Sequence, residues 1–195
     1  PYPTRSGIER FKPLIEPAEP EVPSLSFINL VEAHVLDAIR REHEIPLWKV
    51  RNALDYLERH LPSSHPLANR RFMTNGVDLF IERSRKLVVI SEQGQLAMRK
   101  MIGRYLKRIE WGPDQLPIRL YPFTRKHPED HPKAVVIDPR VQFGRPVLSQ
   151  TGIPTAVIAD RFKAGESVEE LAGDYGREPI EIQEAIRCEH VVEVA

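Results

Sequence analysis

Residues 137–187 read IDPRVQFGRPVLSQTGIPTAVIADRFKAGESVEELAGDYGREPIEIQEAIR, and their punctuation predicts three short helices. Pro154 opens the first, because a proline's missing N–H costs nothing in a helix's first turn. That helix runs through Lys163 and is closed by Gly165. Ser167-Val168-Glu169-Glu170 is a capping box: the serine oxygen accepts from the backbone three residues on, and Glu170 reaches back. The second helix ends at Gly176. Pro179 opens the third, with Ile180, Ile182, Ala185 and Ile186 on its buried side. Ahead of these helices, Ala134 to Ile137 reads as a strand, Asp138-Pro139 turns the chain, and Val147-Leu148 pairs back. Three short helices with tight glycine turns predict a helix-turn-helix domain over 133–195.

Moving outward, the polar, proline-rich KHPEDHPK stretch predicts an interdomain linker at 127–132. Before it, 25–126 reads as a second domain. A helix from about Ser26 to Glu42, capped by Ser24 or Ser26, carries Ile28, Val31, Val35 and Ile39 on one face. A second helix starts at Pro46, with Leu47, Val50, Leu54, Leu57 and Leu61 as a core stripe. Asn75-Gly76 signals a turn. Val77 to Ile81 and Leu87 to Ile90 then read as two strands, joined through Glu82-Arg83-Ser84-Arg85-Lys86 into a hairpin with a basic tip. A third helix covers about Gln93 to Glu110, and Ile118 to Tyr121 reads as a short strand. Residues 1–24 hold Pro1, Pro3, Pro13, Pro17, Pro20 and Pro23, and predict an extended arm. The fold class expected is mainly α with small β elements: a winged-helix-like N-terminal domain with a basic β-hairpin, then the C-terminal three-helix domain.

Composition narrows the function. With 41% hydrophobic and 29% charged residues in 195, the chain is globular. No apolar run approaches the ~20 residues that span a bilayer. The single cysteine, Cys188, and the absence of a secretory signal point to a cytoplasmic protein. Chemistry finds no footing: there is no Gly-rich phosphate loop, no G-x-S-x-G elbow and no H-E-x-x-H. His127 and His131 have an H-x3-H spacing, but Pro128 and Pro132 exclude the helix that would converge them on a metal. Cys188 reads as a small core residue. No catalytic residue, metal or cofactor is expected.

Charge is unevenly spread. The net charge of zero divides into +4 over 1–132 and −4 over 133–195, and 70–109 alone carries ten basic residues against three acidic. A basic block suggests a polyanion partner. The candidate phosphate-contacting residues are Arg70 and Arg71, the hairpin tip Arg83, Arg85 and Lys86, and the helical stripe Lys100, Arg104, Lys107 and Arg108. The bland alternatives are a solvated turn and a solvated helix face. In the last helix Glu178, Glu181, Glu184 and Glu189 oppose only Arg177 and Arg187, which predicts protein contacts there and not DNA.

The stretch 137–187 resembles the domain of unknown function family four-three-three, on Gly144-x-Pro146, Gly165-x-Ser167 and Glu169-Glu170-Leu171-Ala172. The family's Gly-Thr-Arg is Gln150-Thr151-Gly152 here, so no role of that arginine carries over. Residues 25–80, LSFINLVEAHVLDAIRREHEIPLWKVRNALDYLERHLPSSHPLANRRFMTNGVDLF, resemble the DNA-binding region of two-domain VapB-type antitoxins, which are distantly similar to MerR-type winged helices. Such proteins carry a further short helix-turn-helix segment ahead of a stretch like YPTRSG at 2–7, which implies that the chain begins inside the protein.

The resemblance implies an antitoxin of a type II toxin–antitoxin system. It would neutralise a PIN-domain, VapC-like ribonuclease and autoregulate its operon by binding double-stranded operator DNA. The basic arm residues Arg5, Arg10 and Lys12 are the candidate toxin contacts. A homodimer is expected, because paired readers match paired half-sites. The alternatives are a stand-alone transcriptional regulator and, from another class, a small metal enzyme using His127 and His131.

Overall fold

Helix α1 (Phe27–Arg41) begins at a reciprocal cap. The Ser26 hydroxyl accepts from the Asn29 N–H, and the Asn29 side-chain oxygen accepts from the Ser26 N–H, both at 3.1 Å. Val31, Val35, Ala38 and Ile39 are fully buried along its inner face. The computed structural model describes residues 2–4, 7–9, 13–19, 24–41, 47–60, 63–72, 76–87, 92–125 and 131–190. Helix α2 (Leu47–His60) buries Val50, Ala53, Leu54 and Leu57, but leaves Leu47 exposed at its first turn. Pro46 and Leu61 lie outside the described residues.

The basic β-hairpin expected at 77–90 is not formed. Val77–Leu87 is helix α3. Among its described side chains Val77, Phe80 and Ile81 are buried, a spacing of i, i+3, i+4 that belongs to a helix and not to a half-buried strand. The β-branched residues favoured a strand locally, but packing between α2 and α4 overrides that preference. Residues 88–90 lie outside the described ones. Helix α4 (Glu92–Leu106) buries Met98, Met101, Ile102, Tyr105 and Leu106. It stops short of Glu110, because Ile109–Trp111 forms strand β3, paired antiparallel with β4 (Pro117–Leu120).

The hairpin of this domain is therefore at 109–120, and its tip, Gly112 to Leu116, holds no lysine or arginine. A side chain at Gly112 would meet the Asp114 carboxylate at 2.8 Å and Ile118 at 3.0 Å, so the turn closes on glycine. The Arg70 N–H donates to the Gln115 carbonyl at 3.0 Å and ties segment 63–72 to this tip. Within the arm, Tyr2–Thr4 (β1) and Gly7–Glu9 (β2) form a small antiparallel pair. Leu14 packs on the N-terminal core, and Asn29 donates to the Glu16 carbonyl at 2.8 Å.

Residues 135–190 follow the expected punctuation. Val135–Val136 (β5) pairs with Val147–Leu148 (β6), and α5 spans Thr155–Lys163 with Pro154 just before it. Helix α6 (Val168–Tyr175) starts with the complete Ser167/Glu170 capping box. It ends at Gly176, whose φ of +60 lets the Arg177 N–H reach back to the Ala172 carbonyl at 3.0 Å. Helix α7 (Pro179–His190) buries Ile182, Ala185 and Ile186 against Leu148, Ile158 and Leu171, while Ile180, expected inside, is exposed.

Two apolar clusters result, one within α1–α4 and the β3–β4 hairpin, the other among β6 and α5–α7. Leu120 and Ile137 exchange backbone hydrogen bonds of 3.0 and 2.8 Å, adding Ile137 to the hairpin, and Ile137 packs in the first cluster. The mainly α fold with small β elements is as expected.

Candidate nucleic-acid interface and the junction behind it

Helix α4 is amphipathic, so the face opposite its buried methionines must meet water. Lys100, Arg104 and Lys107 share that face. Lys100 and Lys107 are exposed, with no side-chain partner among the described residues, and Arg104 is half-buried. Neighbouring Arg99 is spent on Asp78 of α3, at 3.0 Å. The face can offer point charges to an anion, which is phosphate-type contact without base choice.

The other candidates scatter. Arg70 and Arg71 are exposed on the segment docked to the hairpin tip. Arg83 is half-buried on α3, its guanidinium 5.4 Å from the centre of the Tyr56 ring, so it covers α2 and does not crown a wing. Arg85 and Lys86 are also on α3, in its last turns. Arg5, Arg10 and Lys12 lie outside the described residues.

Arg108 leaves the stripe altogether. It follows the end of α4, where the chain turns into β3, and only 6% of it is exposed. Its Nε donates to the Tyr121 carbonyl at 2.8 Å and Nη1 to that of His131 at 2.9 Å. Nη2 donates to Pro122 at 3.0 Å and Pro132 at 3.2 Å. The guanidinium lies 4.9 Å from the Phe123 ring centre. Burial lowers its pKa, but an arginine stays charged regardless. Arg108 is thus a clamp that holds residues 121–122 against 131–132, and it cannot reach a phosphate.

Glu184 does the same from the other side. It is fully buried on α7. It accepts from Thr124 Oγ1, from Arg125 Nε at 2.7 Å and Nη2, and from Arg187. Burial alone would raise its pKa; the bonds from Arg125 and Thr124 outweigh that and hold it below the ordinary value. Glu181 pairs with Arg177, and Glu189 accepts from Thr155. Three of the four carboxylates read as repelling DNA are therefore satisfied internally. His131 turns its ring edge-on to Phe123 at 5.1 Å, and His127 lies outside the described residues. The Cys188 thiol is pushed up to about 11, chiefly by burial, so it is no nucleophile at neutral pH.

A cavity of about 230 Å3 opens beside the junction, lined by Leu30, His34, Asp37, Tyr105 and Phe123 among others. His34 Nε2 lies 3.1 Å from the Tyr105 carbonyl, and the Tyr105 hydroxyl donates to Asp37 at 2.8 Å. Burial holds the His34 pKa down at about 4, so the ring is neutral and its Nε2–H donates to that carbonyl.

One surface feature had no signal in the sequence. Gln142, Phe143 and Gly144 have φ of +48, +57 and +79, three successive left-handed residues. Glycine takes this freely, but the other two cost roughly 1–2 kcal/mol each. Phe143 is 98% exposed at the apex, so no internal contact offsets that strain. Gly144 announces a turn, but nothing in the sequence shows which neighbour the turn displays.

Residues 135–187 match the family described as "Protein of unknown function (DUF433)". The chain is 31% identical over 176 residues to "Putative antitoxin VapB45" of Mycobacterium tuberculosis, covering 83% of this chain and 70% of that protein. It also resembles the crystal structure of Rv2018 from Mycobacterium tuberculosis, with a TM-score of 0.62 and 26% identity. That match covers 83% of this chain and 78% of the other. With 31% identity across most of both proteins, the chain belongs to the VapB-type antitoxin family, non-enzymatic proteins, and carries its DUF433 region at 135–187.

Proposed function

We propose that this antitoxin binds and neutralises a PIN-domain ribonuclease of the VapC kind and represses its own operon through double-stranded DNA. The observation that carries the DNA half is the single-signed outer face of α4, where Lys100 and Lys107 stand exposed and unpaired among the described residues. Solvated helix faces usually mix charges. Arg104 lies on the same face; the exposed Arg70 and Arg71 on the segment docked to the hairpin tip, and Arg85 and Lys86 on α3, are further candidates elsewhere on the surface. Neutralising the toxin calls for a cation among the carboxylates of its metal site, a charge-assisted contact assigned to the arm residues Arg5, Arg10 and Lys12. The protein would work in the cytoplasm as a homodimer; among the described residues no helix is long and apolar enough to cross a membrane.

Two measurements test this. Growth of cells expressing the adjacent gene, with and without this protein, tests the toxin half: arrest relieved by the protein supports it. A neighbour that is harmless, or harm that is not relieved, leaves a stand-alone DNA-binding regulator. For the DNA half, affinity for the promoter fragment is measured against salt. Lys100→Gln and Lys107→Gln should each lower the slope of log K on log salt by about 1, without changing sequence preference. Unchanged slopes would remove α4 from the interface.

A further inference from the structure

We infer that the Phe143 turn is a docking anchor for a protein partner whose surface offers an apolar pocket rimmed by carboxylates. The turn is built to present, not to pack. Phe143 is 98% exposed, the largest exposure of any apolar side chain among the described residues. The loop beneath it is nonetheless fixed. The Gly144 N–H donates to the Val141 carbonyl at 3.0 Å, Arg145 N–H to Gln142 at 3.1 Å, and Val141 N–H to Asp138 at 2.9 Å. The Gln142 side chain bonds the Gly152 carbonyl at 3.2 Å, which braces the apex against the next turn. Asp138, at the base, is buried and accepts from Arg140 at 2.8 Å and from Arg119 of β4 at 2.9 Å. A rigid aromatic loses little freedom on binding, which is what makes an anchor effective.

Charge decides the partner. Phe143 stands between two exposed arginines. Arg140 has its charge offset by Asp138, while Arg145 has no side-chain partner among the described residues. The apex is locally positive, so it suits an acidic rim. It projects from a region, 133–195, of net charge −4, with Asp160, Glu169, Glu170, Asp174 and Glu178 exposed. A polyanion approaching Phe143 would meet that field, whereas a protein with a local acidic patch would not be held off over its whole length. In the reading proposed above, on which this inference rests, the partner is the toxin, and Phe143 is a second contact beside the arm.

The test uses the full chain and the purified product of the adjacent toxin gene. Binding is measured for the wild type, Phe143→Ala, Phe143→Gly, Arg145→Glu and, as a control, Asp55→Asn, an exposed position on α2. Phe143→Ala and Phe143→Gly should weaken toxin binding at least about 30-fold, with Arg145→Glu losing about 10-fold and Asp55→Asn unchanged. Glycine relieves the left-handed strain, so Phe143→Gly should melt no lower than the wild type, which separates lost binding from lost folding. If the wild type binds the toxin and the Phe143 variants bind equally well, the anchor is refuted while the antitoxin reading stands. If the wild type does not bind, that reading fails and the anchor with it. Variants that keep the toxin but lose promoter DNA, or that halve the solution mass, would assign the turn to nucleic acid or to a second copy, and either result overturns the proposal.

Discussion

Arg108→Ala separates two accounts of one residue. As a phosphate contact, Arg108 would affect DNA binding and leave stability alone. As the clamp seen here, it would do the reverse. Its guanidinium makes four hydrogen bonds, to the carbonyls of Tyr121, Pro122, His131 and Pro132. A bond to a charged group contributes about 1.5–3 kcal/mol. Tyr121, Pro122, His131 and Pro132 are only half-buried, so water recovers part of this when the side chain goes. Taking the lower figure for each bond and discounting by half leaves about 3 kcal/mol, and the lost contact with Phe123 adds about 0.5–1 kcal/mol. For a chain of this size that is a fall in Tm of about 10 °C. Arg108→Lys keeps the charge but not the fork, and should lose about half as much. Thermal denaturation followed by circular dichroism gives the first number, and promoter binding at 25 °C the second. An unchanged Tm with DNA affinity reduced tenfold or more would refute the clamp and restore Arg108 to the nucleic-acid surface.

Three more outcomes follow from the same contacts. Glu184→Ala strands Arg125 and Arg187, which are partly exposed and regain water, so the loss should be about 2–3 kcal/mol in urea denaturation. His34, with its pKa held down at about 4, binds fewer protons folded than unfolded. The His34 contribution to stability should therefore be level above pH 6.5, fall between pH 6.5 and 4 by up to about 3 kcal/mol, and level off below, where the depressed carboxylates such as Glu184 take over the loss. His34→Gln should flatten that part of the profile, and an unchanged slope would show that another group governs it. Gly176→Ala forces a side chain into φ +60 and should cost about 1 kcal/mol, read as a lower urea midpoint at constant slope.

How far the sequence spoke depended on whether a signal was local. Proline at a helix start, the Ser167/Glu170 box and Gly176 each act on the backbone within a few residues, so α5, α6 and α7 were legible to within a residue or two. Around 77–87 the local signals conflicted. Val77, Leu79 and Ile81 alternate like a strand, while Val77, Phe80 and Ile81 recur like a helix, and only the neighbouring helices decide. The misreading moved the supposed wing by some thirty residues, to a hairpin with no basic residue at its tip. Ile180 fails for a related reason: the period put it inside, but it sits in the first turn of α7, before the helix reaches the core.

The site was harder, because a charge count treats every ionised group as available. Folding withdraws charges unequally. From the α4 stripe it removes Arg108, and the candidate polyanion-binding face shrinks to Lys100, Arg104 and Lys107. From α7 it removes Glu184, which fastens the junction, while Glu181 and Glu189 are engaged by Arg177 and Thr155. The carboxylates counted against DNA on that helix are therefore mostly internal fasteners, and Glu178 alone of the four is fully outward-facing. The expectation that 133–195 meets protein can no longer rest on α7. It rests instead on the exposed acids of α5 and α6, which set the field, and on the one place where that field is locally reversed. That place is the Phe143 turn, between Arg140 and Arg145, so a protein partner of this region would meet a turn with a single displayed aromatic and not the last helix, α7.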